Sequence, residues 1–121
     1  MENPKFDFVF LGQSVLKYQV PLDIFNSINH IYESNFHNLL PANSQLVGKI
    51  ENEHSLFYHG ADQTKMKNHN KLPKDVTNYF FETFRHYLAF NKIKDYDTHL
   101  NSVWVNEMKQ HEYNPTHIHR G

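Results

Sequence analysis

Val103-Trp-Val-Asn-Glu-Met-Lys-Gln-His-Glu-Tyr-Asn-Pro-Thr-His-Ile-His119 is the stretch on which the fold turns. Val103, Trp104 and Val105 are β-formers, and residues 100–108 read as a strand. Gln110-His-Glu112 reads as a turn, and residues 113–119 as a returning strand. Pro115 suits a strand start or edge, because it donates no ladder hydrogen bond. On an extended strand, residues two apart project from one face about 6.6 Å from each other. His117 and His119 are so spaced and present two imidazoles to one side. Two such groups plus one further ligand from elsewhere make a facial set that leaves positions open for substrate and oxygen, as in non-haem Fe(II) oxygenases. The same pair has a plainer reading: in a chain with 10 histidines an H-x-H arises by chance, and a frayed terminus carries it without binding anything.

Working outward, residues 6–11 mix alternation with β-rich side chains and end at Gly12, so they read as a strand. Residues 15–20 form a second strand after a short turn over 12–14. Pro21 suits the first position of a helix, and Leu22, Phe25, Ile28, Ile31, Tyr32 and Phe36 recur every three or four residues, which predicts an amphipathic helix over 21–36. Residues 37–45 read as loop, and 46–50 are too brief to type. Residues 51–70 are polar without a usable period and read as an extended excursion over the surface. Lys65, Lys67, Lys71 and Lys74 are loosely clustered there; no aromatic platform accompanies them, so a solvated loop is expected. Val76, Phe80, Phe84, Tyr87 and Leu88 line a second helix over 74–91, an aromatic stripe expected to lie against a sheet. The fold class is α+β.

Composition narrows the function classes. A chain of 121 residues has room for about one domain of ~100–200 residues. Its 39% hydrophobic and 15% aromatic content is that of a globular chain. Without cysteine there is no disulfide framework, cysteine zinc site or thiol nucleophile. A formal charge of −1 argues against binding nucleic acid by phosphate neutralisation. No apolar run approaches the ~18 residues of a membrane-crossing helix, and no cationic segment followed by an apolar one marks a secretory signal. No membrane contact and a cytoplasmic location are therefore expected. The Gly-rich phosphate loop, the G-x-S-x-G elbow and the H-E-x-x-H helix are all missing from the sequence.

Residues 103–121 resemble the Fe(II)/2-oxoglutarate-dependent oxygenases found widely in bacteriophages, of the prolyl-4-hydroxylase-like kind. Those proteins show a Trp-Val-Asn strand, a polar turn and an Asn-Pro-x-His-x-His-x-Gly stretch, matched here from Trp104 to Gly121. The resemblance implies that His117 is a metal ligand, with His119 its partner where relatives more often carry Asp or Glu. It places Trp104 and Asn106 on the preceding barrel strand, and Asn106, Tyr113 and Asn114 at the cosubstrate. It implies Fe(II) as cofactor, 2-oxoglutarate as cosubstrate, and the host cytoplasm as location if the protein is phage-encoded. The all-imidazole pair also suits zinc.

In the family, the distal histidine and the basic clamp for 2-oxoglutarate follow this motif, and a jelly roll needs ~8 strands. Residues 1–121 are thus expected to form a single domain, the N-terminal part of such a fold, with helices and strands packed on an incomplete double-stranded β-helix. Alone, this part is expected to be inactive, its unpaired strands open to self-association or to a completing polypeptide. Two other readings stand beside this one. One is a non-catalytic binding or structural phage module. The other is a simple histidine-based metal-binding domain with His111 or His99 as third ligand; His111 and Glu112 are the nearest further candidates in sequence. The substrate stays open among a peptidyl proline, a nucleobase and a small metabolite.

Overall fold

The alternating Phe6, Phe8 and the β-rich run after Ser14 do form two strands, β1 (Phe6–Phe10) and β2 (Ser14–Tyr18). They pair antiparallel, with Phe6 opposite Tyr18 and Phe8 opposite Leu16. A computed structural model describes residues 3–10, 14–43, 46–60 and 67–118 of the chain. It divides into two compact units, Met1–Asn29 with Pro73–His99, and His30–Leu72 with Leu100–Gly121.

In the first unit the β1–β2 hairpin meets α2 (Lys74–Phe90). The Phe6 ring lies 4.9 Å from that of His86 and 6.1 Å from that of Phe90, and Phe8 lies 5.3 Å from Phe90. Tyr18 Oη and His86 Nδ1 are hydrogen-bonded at 2.7 Å, and Tyr87 Oη donates to the Ser14 carbonyl at 3.3 Å. The expected aromatic stripe meets a sheet through Tyr87, joined by His86 and Phe90 from outside it; Phe84 is exposed, while Val76 is fully buried. Pro73 precedes α2 in an extended conformation and Asp75 supplies the negative charge that a helix N-terminus favours. At the other end Lys92 adopts φ +57°. Its N–H bonds Ala89 O at 3.0 Å and that of Ile93 bonds Leu88 O at 2.9 Å, a Schellman ending built on lysine where glycine is usual.

The first helix, α1 (Leu22–Asn35), runs where expected but buries a different side chain. Ile24 is buried, whereas Leu22 is 72% and Phe25 53% exposed. Periodicity identified an apolar stripe without saying which of its edges is covered. Residues 36–38 continue as a short 3-10 turn, so Phe36 lies just past the helix.

The second unit is built on a strand that the sequence pattern conceals. Residues 51–70, expected to be a surface excursion, contain β4 (Asn52–Tyr58). It pairs antiparallel with β6 (Ser102–Glu107) along its length, from Asn52 opposite Glu107 to Tyr58 opposite Ser102. A strand has two edges, so the two short strands β3 (Leu40–Pro41) and β5 (His69–Asn70) take the other one, at Ser55–His54 and at Tyr58–Phe57 respectively. The register shifts between Ser55 and Phe57, where Leu56 is the extra residue and is wholly buried. Asn52, Glu53, His54 and Ser55 put polar groups on both faces, which removes the period-two contrast that marks a half-buried strand.

After β6 the chain makes the expected turn: Glu112 N–H bonds Lys109 O at 3.1 Å with His111 at φ +68°. The expected returning strand over 113–119 is reduced to one bridge between Tyr113 and Lys49; residues 114–118 join no ladder, and His119 lies outside the described residues. Pro115 lacks the N–H that would carry the pairing forward. The architecture is mixed α+β, with two helices and two antiparallel sheets among the described residues. No helix among them is long and apolar enough to cross a membrane.

Leu56 at the bulge is the most constrained side chain of the second unit. Replacing a fully buried leucine by alanine typically costs about 2–5 kcal/mol. Leu56→Ala is expected to lose that much in urea denaturation; a loss below about 1 kcal/mol would place Leu56 outside a packed core.

Candidate functional site

The segment that carries His117 is positioned by Gly48. Gly48 has φ +102°, and a β-carbon there would overlap the Tyr113 carbonyl oxygen and approach Asn114 Cα and Pro115 Cδ at 3.0 Å each. Only glycine combines that backbone with that clearance. Beside it, Lys49 N–H donates to Tyr113 O at 2.8 Å and Tyr113 N–H to Lys49 O at 3.1 Å.

Glu112 fixes the preceding turn. Its Oε2 accepts the Lys109 N–H at 2.7 Å and its Oε1 the Glu51 N–H at 2.8 Å. These two backbone bonds, that of Lys109 foremost, hold its carboxyl below the ordinary glutamate range. Lys109 Nζ in turn reaches Glu51 Oε2 at 2.9 Å. With both oxygens engaged, Glu112 is a clamp on the turn and a poor metal ligand.

His117 is exposed, with Nδ1 2.8 Å from the Pro115 carbonyl oxygen. A carbonyl can only accept, so Nδ1 carries the proton and the imidazole lone pair is on Nε2. That is the arrangement by which a backbone carbonyl orients a metal-binding histidine. The other residues singled out from the sequence are spread around it. Tyr113 and Asn114 precede it on the same segment and are exposed. Asn106 is exposed on β6 opposite Glu53, four positions along from Lys49, which Tyr113 faces. Asn106 therefore does not share a strand position with Tyr113 and Asn114. His111 is exposed in the turn, and His99 belongs to the first unit, 3.1 Å from Asp97. Among the described residues no three His, Cys, Asp or Glu side chains converge as a metal site. His117 fits one ligand of an Fe(II) centre; the described donors do not complete a set, and no reaction step through iron follows from them.

Two groups that the sequence pattern did not single out sit on β4. Glu53 is only 3% exposed, and its Oε1 has no hydrogen-bond partner among the described residues. Burial, and secondarily the charge of Glu112, push its carboxyl above the usual range. On the opposite face His54 is packed against Phe36 and Tyr32, with ring centroids at 4.7 and 6.0 Å. Burial lowers its imidazole, against the pull of Glu107, and its Nδ1 is likewise unpartnered among the described residues. Tyr32 donates to Glu107 at 2.7 Å and Asn52 Nδ2 to the same carboxylate oxygen at 3.1 Å. These bonds, Tyr32 first, lower Glu107, while burial and the Glu107 bond push the Tyr32 hydroxyl up to about 12. Nothing short of the β4 pairing itself would have distinguished Glu53 from its exposed acidic neighbours.

The chain matches no family model, no curated protein and no solved structure.

Glu53 has a signature in the dependence of stability on pH. Its carboxyl is raised in the folded state, so above the ordinary glutamate range the folded chain holds more proton than the unfolded one, and this group's contribution declines as pH rises towards its folded value. Glu53→Gln is therefore expected to be more stable than wild type at pH 7 and equal to it near pH 3.5, in denaturant titrations run across that interval. A variant less stable than wild type at pH 7 would show that Glu53 is ionised and paired.

Proposed function

We propose that this chain binds a divalent metal ion through His117 and His119 and belongs with the Fe(II)/2-oxoglutarate-dependent oxygenases its C-terminal segment resembles. The observation that carries the reading is the Nδ1–H bond from His117 to the Pro115 carbonyl, which sets the ring in the tautomer a metal ligand needs. It is supported by the order of elements in the second unit, where the Trp-Val-Asn strand lies in an antiparallel sheet and leads through a tight turn into the histidine segment. In this reading the sheet on β4 is the beginning of a double-stranded β-helix, and Asn106, Tyr113 and Asn114 offer hydrogen-bonding groups towards the cosubstrate. Fe(II) with 2-oxoglutarate would supply the oxidising chemistry; the chain's own part is to present imidazole nitrogen in a fixed orientation.

Co(II) is the probe, because its visible absorption reports the ligands around it. Wild type is expected to bind Co(II), with His117→Ala weakened about tenfold or more, the scale on which even outer groups of a metal site act. A change in the Co(II) bands on adding 2-oxoglutarate is expected for the oxygenase reading; no change would reduce it to a plain metal-binding domain. Equal Co(II) affinity in wild type and His117→Ala would overturn the metal assignment altogether.

A further inference from the structure

The last turn of α1 and the 3-10 turn after it meet the sheet of the second unit around one imidazole. His54 projects from β4 with its ring 4.7 Å from that of Phe36 and 6.0 Å from that of Tyr32. Its Nδ1 is buried and has no hydrogen-bond partner among the described residues. A neutral imidazole can leave Nδ1 as a bare lone pair, whereas an imidazolium carries an N–H on both nitrogens. A buried donor without an acceptor is costly, so the packed ring favours its neutral form.

The groups around His54 limit where a second proton could turn. β3 brings Pro41 and β6 brings Val105 as cross-strand neighbours, and neither side chain titrates. α1 brings Tyr32 and the turn after it Phe36, with the His37 ring 5.4 Å beyond Phe36. On β4 itself Asn52 stands two positions away on the same face, opposite Glu107. Glu107 is the carboxylate whose charge acts on His54, and it is already engaged. Its Oε2 accepts the Tyr32 hydroxyl at 2.7 Å and Asn52 Nδ2 at 3.1 Å. Those two bonds, Tyr32 first, hold Glu107 below the ordinary glutamate range, so it stays charged in mild acid. An imidazolium at His54 and the Tyr32 hydroxyl therefore compete for one carboxylate.

We propose that His54 is a pH-operated latch: its neutral ring holds Tyr32 and Phe36 on the sheet, and its protonation draws Glu107 from Tyr32 and releases residues 30–38 while the β4–β6 ladder stays closed. The ladder survives because its backbone pairing runs from Asn52–Glu107 to Tyr58–Ser102, whereas residues 30–38 join no strand. The direction follows from burial, which lowers the imidazole. The released state takes up its proton first, so the latch weakens as pH falls below ~6.5 towards the packed ring's own value.

The test is NMR on the whole chain, following the His54 ring titration and amide protection at pH 7 and pH 5. Wild type is expected to lose protection over residues 30–38 by about tenfold or more between the two, with β4 and β6 unchanged. His54→Phe keeps a ring in the stack and cannot titrate, so its protection over 30–38 is expected to be the same at both. Tyr32→Phe removes the competitor for Glu107 and is expected to raise the midpoint of the His54 ring titration. That shift is read without His54→Phe, should that variant fold poorly. Unchanged wild-type protection, an equal loss in a folded His54→Phe, loss of β4 and β6 protection alongside, or an unmoved midpoint in Tyr32→Phe would each overturn the proposal.

Discussion

Everything in the second unit depends on a strand with hydrogen-bonded neighbours on both edges. β4 pairs with β6 on one side and with β3 and β5 on the other, so its backbone is satisfied by three separate parts of the chain. Such a strand must be buried, and it is: Glu53, Ser55 and Leu56 are all covered. The bulge at Leu56 shifts the register by one, so that Ser55 and Phe57 face opposite sides of the sheet although they are two residues apart. Polar side chains pass with it into the interior. A buried carboxyl with an unpartnered oxygen is costly, and the chain limits that cost by favouring its neutral form.

The histidine segment hangs from this sheet by a small number of fixed points. Gly48 lets residues 113–115 lie close, the Lys49–Tyr113 bridge ties them down, and Glu112 clamps the turn through two backbone N–H groups. Beyond Tyr113, His117 Nδ1 meets the Pro115 carbonyl oxygen at 2.8 Å.

What the sequence reveals follows the physics of each element. β1, β2, α1, α2 and β6 all carry a clear period, and each lies within a few residues of where its pattern puts it. β4 carries none, because Asn52 and His54 are polar on one face and Glu53 and Ser55 on the other; its identity rests on pairing partners far away in sequence. The covered edge of α1 is equally non-local: Ile24, not Leu22 or Phe25, is buried. For the candidate site, the H-x-H spacing singles out His117 and His119, of which His119 lies outside the described residues, while Glu53 and His54 owe their environments to the sheet and carry no motif.

The central claim is that β4 is the buried organising strand of its unit. Native-state hydrogen exchange tests it most directly, since protection reports how much structure must open to expose each amide. The backbone amides of β4 are expected to exchange more slowly than any others in residues 30–72 and 100–118, and to lose protection together with those of β6. Amides of β4 exchanging as fast as those of residues 114–118 would contradict it, and would return 51–70 to the surface loop that its composition suggests.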